Sequence, residues 1–174
     1  MLKPDNRLKK VWDFNLIIKH GQWVSGSFLT LKWLKLAEIR QFFPKKNLAR
    51  QSGATAADPD KFEKQLKLAF SVGLKVDKRA VARNRVRRQL SEVARLLIKA
   101  GRVQEGYYLM FVPKPAIKDK NYAQISQEVE VLLKRVGALS SWAIAKDLHY
   151  IVMLSEAKHL DSSFHSEWQK YEFF

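Results

Sequence analysis

Between Lys75 and Arg88 stand seven basic residues, Lys75, Lys78, Arg79, Arg83, Arg85, Arg87 and Arg88, and one acid, Asp77. Seven minus one leaves a local charge of +6. Like charges at i and i+4, as at Arg83 and Arg87, cost an isolated helix about 0.2–0.5 kcal/mol per pair, and a merely solubilising face would mix glutamate among the cations. Arginine is the informative choice, because its planar fork can hold two phosphate oxygens at once. Asn84, inside the run, adds a donor and an acceptor suited to one fixed hydrogen bond. The chemistry these residues fit is the binding of a polyphosphate.

Such residues need an element that keeps them in water. With Asp77 as N-cap and a helix from Lys78, Ala82, Val86, Leu90, Val93 and Leu97 fall at steps of 4, 4, 3 and 4 and form one apolar stripe. Arg83, Asn84, Arg85, Arg87, Arg88, Ser91, Arg95 and Lys99 fan over the rest of the circumference, with one acid, Glu92, among them. The helix must bury one side and expose a cationic one.

The neighbouring segments supply the packing partners. A first helix, capped by Asn6 or a neighbour, places Val11, Phe14, Ile17 and Ile18 on one side, and Gly21 ends it with a residue that tolerates positive φ. Trp23 to Leu36 alternates as a strand, with Leu29, Leu31 and Trp33 on one face and Phe28, Thr30, Lys32 and Leu34 on the other. Leu66 to Val72 repeats the theme, with small or polar Lys67, Ala69 and Ser71 on one side, a shallow trough that suits an extended RNA strand. After the basic helix, Gly101 permits a stop, Tyr107 to Val112 form a strand, and Pro113 and Pro115 end its pairing. Asn121 with Gln124 has the capping-box pattern before a stripe of Tyr122, Ile125, Val129, Leu132 and Val136. The expectation is an α+β sandwich, a small central sheet packed with helices in the order α-β-β-α-β-α.

Residues 37–65 carry Phe42-Phe43-Pro44 and a breaker-rich run from Gln51 to Asp60, which reads as a long hairpin insertion without chemistry. Asp58 and Asp60 lack a third ligand at useful spacing, and His149, His159 and His165 are too far apart for a compact metal motif. We expect one domain over 1–139 and an aromatic extension of unassigned role over 140–174.

Composition agrees with a nucleic-acid partner. Lys and Arg number 32 against 17 Asp and Glu, for a net charge of +15 and a pI near 10.1. The absence of Cys excludes disulfides, thiolate catalysis and zinc-thiolate sites. Apolar runs such as Tyr107 to Val112 are far shorter than the roughly 20 residues that span a bilayer, and no apolar h-region follows the charged N-terminus, so a cytoplasmic location is expected. The acids are scattered, and neither a His-Glu-x-x-His nor a phosphate-cradling Gly-rich loop occurs, so no catalytic or metal-ligating residue is assigned.

The run from Leu68 to Leu97, with Phe70-Ser71-Val72, the basic turn Lys75 to Arg79, Ala80-Val81 and Arg83-Asn84-Arg85-Val86-Arg87-Arg88, resembles the signature of the bacterial ribonuclease P protein subunit. Asn6-Arg7-Leu8-Lys9-Lys10 with Asp13-Phe14 and Lys19-His20-Gly21, and the strand from Tyr108 to Ala116, are similar to the family's other segments, so the resemblance covers residues 1–36 and 66–139. It implies a ribonuclease P protein-like fold with the basic helix in a left-handed crossover. It also implies a ribonucleoprotein endonuclease in which an RNA subunit, holding Mg²⁺ on its own phosphates, removes the 5′ leader of precursor tRNA. Lys75, Lys78, Arg79, Arg83, Asn84, Arg85, Arg87 and Arg88 would then dock on the catalytic RNA. Phe14, Ile18, Thr30, Lys32, Phe70 and Ser71 would hold the leader, with neither a membrane nor DNA expected as partner. Four positions depart from the family: Ile18 where a second Phe is frequent, Leu74 for Lys, Asp77 for Gly and Ser91 for Arg. The alternative class is a basic RNA-binding module of ribosomal or chaperone type with no role in tRNA processing.

Overall fold

One sheet with a different helical layer on each face organises the chain, in a computed structural model that describes residues 2–39 and 62–140. After a 3₁₀ turn at Pro4–Asn6 come α1 (Val11–His20), β1 (Gln22–Ser25), β2 (Leu29–Lys35) and a short α2 (Leu36–Ile39). Then follow β3 (Lys67–Phe70), α3 (Ala80–Lys99), β4 (Tyr107–Pro113), a 3₁₀ turn at Pro115–Asp119 and α4 (Tyr122–Arg135). The strand order is β1-β2-β4-β3, with β1, β2 and β4 antiparallel and β3 parallel to β4. Chain contacts separate Met1–Leu139 from Ser140–Phe174. The 40–61 stretch with Asp58 and Asp60, and the tail with its three histidines, lie outside the described residues.

The expected single strand from Trp23 to Leu36 is a hairpin. The alternation runs on through Gly26 and Ser27, but Gly26 turns the chain and donates its N–H to the Leu29 carbonyl at 2.8 Å. Glu128 of α4 accepts hydrogen bonds from the Ser27 and Phe28 amides, and a Cβ on Gly26 would collide with that carboxylate. The segment between β2 and β3 does not close a hairpin either, because β4 lies between those strands. Pro113 is part of β4, opposite Leu29, rather than beyond it.

Strand register assigns the faces. Leu31 and Phe70 both oppose Phe111, and Leu68 and Trp33 both oppose Leu109, so these side chains share one face. That face is covered by α3 through Val86, Leu90, Val93, Ala94 and Leu97, and by α4 through Ile125, Val129, Leu132 and Leu133. The expected stripe on α3 is thus the buried one. Both helices end in the same way: Gly101 (φ 66°) donates to Ile98 and Arg102 to Leu97, while Gly137 (φ 68°) donates to Lys134 and Ala138 to Leu133. Such a left-handed terminal residue is strained for any side chain with a Cβ. At the start of α4 the capping box forms in both directions, at 2.8 and 3.1 Å.

On the opposite face, Leu34, Ala69, Tyr108 and Met110 form a second core with Leu16 and Ile17 of α1 and with Leu36, Ile39 and Phe62. The apolar stripe expected on α1 is rotated. Val11 and Ile18 are 75% and 54% exposed, whereas Asp13 is 1% exposed. A carboxylate is tolerated there because the sheet supplies its partners: Lys67 Nζ at 2.8 Å and the Tyr108 hydroxyl at 3.3 Å. Tyr108 is also 3.1 Å from Gln65 Oε1, and Lys67 Nζ donates to the Tyr108 oxygen at 3.2 Å. Burial first, then the Asp13 carboxylate, push the Tyr108 hydroxyl above its ordinary pKa, so it stays a donor. Gly21 follows α1 at φ −72°; glycine is required there by crowding, since a Cβ would strike the Ile17 carbonyl.

The outer margin of β3 is covered by the N-terminal segment. Arg7 bridges Leu68 in parallel, Leu8 donates to the Leu68 carbonyl at 2.9 Å, and Asn6 Nδ2 reaches the Leu66 carbonyl at 3.1 Å. Asn6 therefore does not cap α1, whose N-cap position is Lys10.

Candidate nucleic-acid interface

The basic run straddles the entry to α3. The helix begins at Ala80 rather than Lys78, and Arg79 occupies the cap position without a side-chain cap. Asp77 is engaged one turn earlier: it accepts the Arg79 amide at 2.8 Å and the Lys118 ammonium at 2.9 Å. Its carboxyl is held below the ordinary value of 3.8, first by the hydrogen bond from Lys118 and then by the Arg79 amide. The loop before α3 is thereby pinned to the 3₁₀ turn after β4.

Lys75, Lys78, Arg79, Asn84, Arg85, Arg87 and Arg88 are exposed. Arg83 is not fully among them. Half-buried, its guanidinium donates to the Asp77 and Lys78 carbonyls at 2.9 and 2.7 Å and ties the loop to the helix. Asn84 Oδ1 accepts from Arg87 at 2.7 Å, so its acceptor orients a neighbouring arginine. The unsatisfied amides and the dipole of the helix N-terminus add positive potential at this end.

The expected leader set divides. A groove of about 820 Å³ wraps over the edge at β3, and among its lining residues are Phe14, Ala69 and Ser71 from one side and Arg87, Arg88 and Ser91 from the other. Phe14 and Ser71 are thus brought beside two arginines of the basic helix. Phe70 lines the same groove, but by strand alternation from the opposite face, where it stacks on Phe111 at 5.7 Å and 14°. Thr30, half-buried, pairs with Val112 on the sheet face that carries α1, and the exposed Ile18 overhangs that face from α1.

Lys32 differs from expectation. It is 7% exposed, and its ammonium donates to the Ile18 carbonyl at 2.7 Å and lies 4.9 Å from the centre of the Trp23 ring. A lysine in an alternating strand reads as a free cation; here the end of α1 covers it, so it fastens the helix instead. Sequence reasoning missed Arg7 and Leu8, which line the groove from the N-terminal segment, and Trp23, which is 55% exposed. No signal in the spacing could have found Trp23: only the hairpin at Gly26 puts it opposite Lys32, on the face that also carries Thr30.

The well-placed carboxylates are committed to cations or amides. Besides Asp13 and Asp77, Glu92 holds Arg95 at 2.9 and 2.6 Å, and Glu130 holds Arg102 at 3.1 and 3.2 Å. Among the described residues no three of His, Asp and Glu converge as a metal site would require, and no helix is long and apolar enough to cross a membrane. What the arrangement can do is grip anions along one ridge and cradle an extended chain beside it.

A family profile described as Ribonuclease P matches residues 2–137. The ribonuclease P protein component of Nostoc punctiforme is 34% identical over 134 residues, covering 76% of this chain and 91% of that protein. The corresponding protein of a Cyanothece species is 29% identical over 148 residues, covering 82% and 100%. The solved structure of the Staphylococcus aureus RNase P protein superposes with a TM-score of 0.55 at 21% identity, covering 78% of this chain and 98% of that one, a likeness of fold.

Proposed function

From the premise that this chain belongs to the ribonuclease P protein family, as the match over residues 2–137 and the Nostoc relative show, we propose how its surfaces divide the work. The chain is the protein subunit of a ribonucleoprotein endoribonuclease that acts in tRNA processing. Lys75, Lys78, Arg79, Arg85, Arg87 and Arg88, with Asn84, dock on the phosphates of the ribonuclease P RNA. Arg83 shapes the loop that presents them. Phe14, Ile18, Thr30 and Ser71 hold the single-stranded 5′ leader of precursor tRNA across the sheet, Phe70 supports that surface from the opposite face, and Lys32 fastens the end of α1 beside it. The function resides in residues 1–139, and the enzyme works in the cytoplasm.

The observation that carries this reading is the groove over β3, which puts Phe14 and Ser71 next to Arg87 and Arg88. The one acid on the groove wall, Glu92, is held by Arg95, so an RNA strand leaving the basic ridge enters the trough past a neutralised carboxylate. The paired carboxylates do not fit a Mg²⁺ site, so the ion is assigned to the RNA, where it supplies an activated water for phosphodiester hydrolysis. The protein's cations lower the repulsion between the two RNAs and so raise the apparent Mg²⁺ affinity.

Precursor-tRNA cleavage by the RNA subunit at low Mg²⁺, with and without the protein, tests the reading. Rescue by the protein, and loss of rescue when Arg87 and Arg88 are both changed to Gln, is expected. A protein that binds the RNA but gives no rescue would place the chain in the ribosomal or chaperone class.

A further inference from the structure

Trp23 lies on β1 at the far side of the sheet from β3, and three strand spacings, about 14 Å, separate the two edges. The register puts Trp23 opposite Lys32, Lys32 opposite Met110 and Met110 opposite Ala69, so all four share the face that carries α1. At 55% exposure it is a large apolar surface left in water, on the end strand of the sheet. Yet it is not loose. The Lys32 ammonium sits 4.9 Å from its ring centre and is itself fixed by the Ile18 carbonyl at 2.7 Å. One side of the indole is thus held by a cation whose position is set by the end of α1, while more than half of the residue stays in water.

An exposed ring fixed by a cation on one side suits an electron-rich planar partner with an anion attached: a nucleobase and its phosphate. The exposed residues at the end of α1 include Lys19, whose charge suits an anionic partner. Building on the leader reading above, we propose that Trp23 is a stacking platform for a base of the 5′ leader, at the end of the trough opposite Arg87 and Arg88. The exposed Ile18 beside it has no π-face, and Trp23 provides the stacking surface at this end of α1. The leader is then gripped at both ends of its passage, by Phe14 near β3 and by Trp23 beyond β2.

The test uses the reconstituted holoenzyme and two precursor tRNAs, one with a long leader and one with a single-nucleotide leader. Trp23→Ala should weaken binding of the long-leader precursor about tenfold and leave the short one unchanged, and Trp23→Phe should restore most of the loss, as expected for base–aromatic stacking. An abasic nucleotide walked along the leader should abolish the difference between Trp23 and Ala at one position only. Equal loss on both precursors, or none on either, overturns the proposal. Phe14→Ala separates the failures: if it shows leader dependence and Trp23→Ala does not, the platform alone is wrong. If neither shows it, the trough reading falls with it.

Discussion

Charge on the basic ridge makes a quantitative prediction, because the structure separates exposed cations from one committed to backbone carbonyls. Six are exposed, Lys75, Lys78, Arg79, Arg85, Arg87 and Arg88, whereas the Arg83 guanidinium is held by two backbone carbonyls. Each phosphate neutralised contributes roughly 0.7–0.9 to the slope of log affinity against log salt, so six contacts give a slope near −4 to −5. Between 50 and 200 mM salt that is a loss of about three orders of magnitude in affinity. Arg87→Gln should flatten the slope by about 0.7–0.9, and Arg83→Gln should barely change it while lowering affinity at every salt concentration. Fluorescence anisotropy with labelled ribonuclease P RNA, over a salt titration, reads both quantities, and circular dichroism checks that each variant is folded. A flat wild-type titration would refute ridge docking. Equal flattening by Arg83→Gln and Arg87→Gln would refute the division between the arginine held by backbone carbonyls and the exposed ones.

Two further outcomes concern stability. Asp13→Ala strands the Lys67 ammonium, whose side chain is 14% exposed, and should cost about 3–5 kcal/mol in denaturant unfolding. Asp13→Leu combined with Lys67→Met should recover most of it; a single variant as stable as the parent would show that the pair is not buried as described. The Asp77 carboxyl, held below 3.8 chiefly by Lys118, contributes stability that is complete above that value and lost as the pH falls through its lower folded value. Thermal melts between about pH 2 and 5 should therefore show a steeper acid limb for the parent than for Asp77→Asn, and superimposable limbs would contradict the ion pair.

Much of the ridge could be read from the chain alone. The stripe from Val86 to Leu97 is a local pattern at a fixed step, and burying it forces the arginines outward whatever the stripe packs against. The capping box at Asn121 and the glycine after each long helix are equally local. What escaped is what depends on distant partners. Asp13 looks like a solvent-facing residue until β3 and β4 bring Lys67 and Tyr108 to it, and that rotation exposes Val11 and Ile18. Lys32 looks free until the end of α1 lies over it. Nothing in the spacing shows that β4 enters between β2 and β3, so the connection between those strands reads as a hairpin. The turn at Gly26 moves Trp23 onto the face of Lys32, a register that reading the segment as one continuous alternation does not show.

The strip of backbone that Arg7 and Leu8 lay along β3 guards the molecule against its own copies. A sheet margin with free amides and carbonyls is a template onto which another chain can add. On a +15 protein that lives among RNA molecules, which bring cationic chains close together, that hazard is sharpened. The same strip donates Arg7 to the groove, so clipping the first eight residues would uncover a self-adhesive border and dismantle part of the groove wall in one stroke.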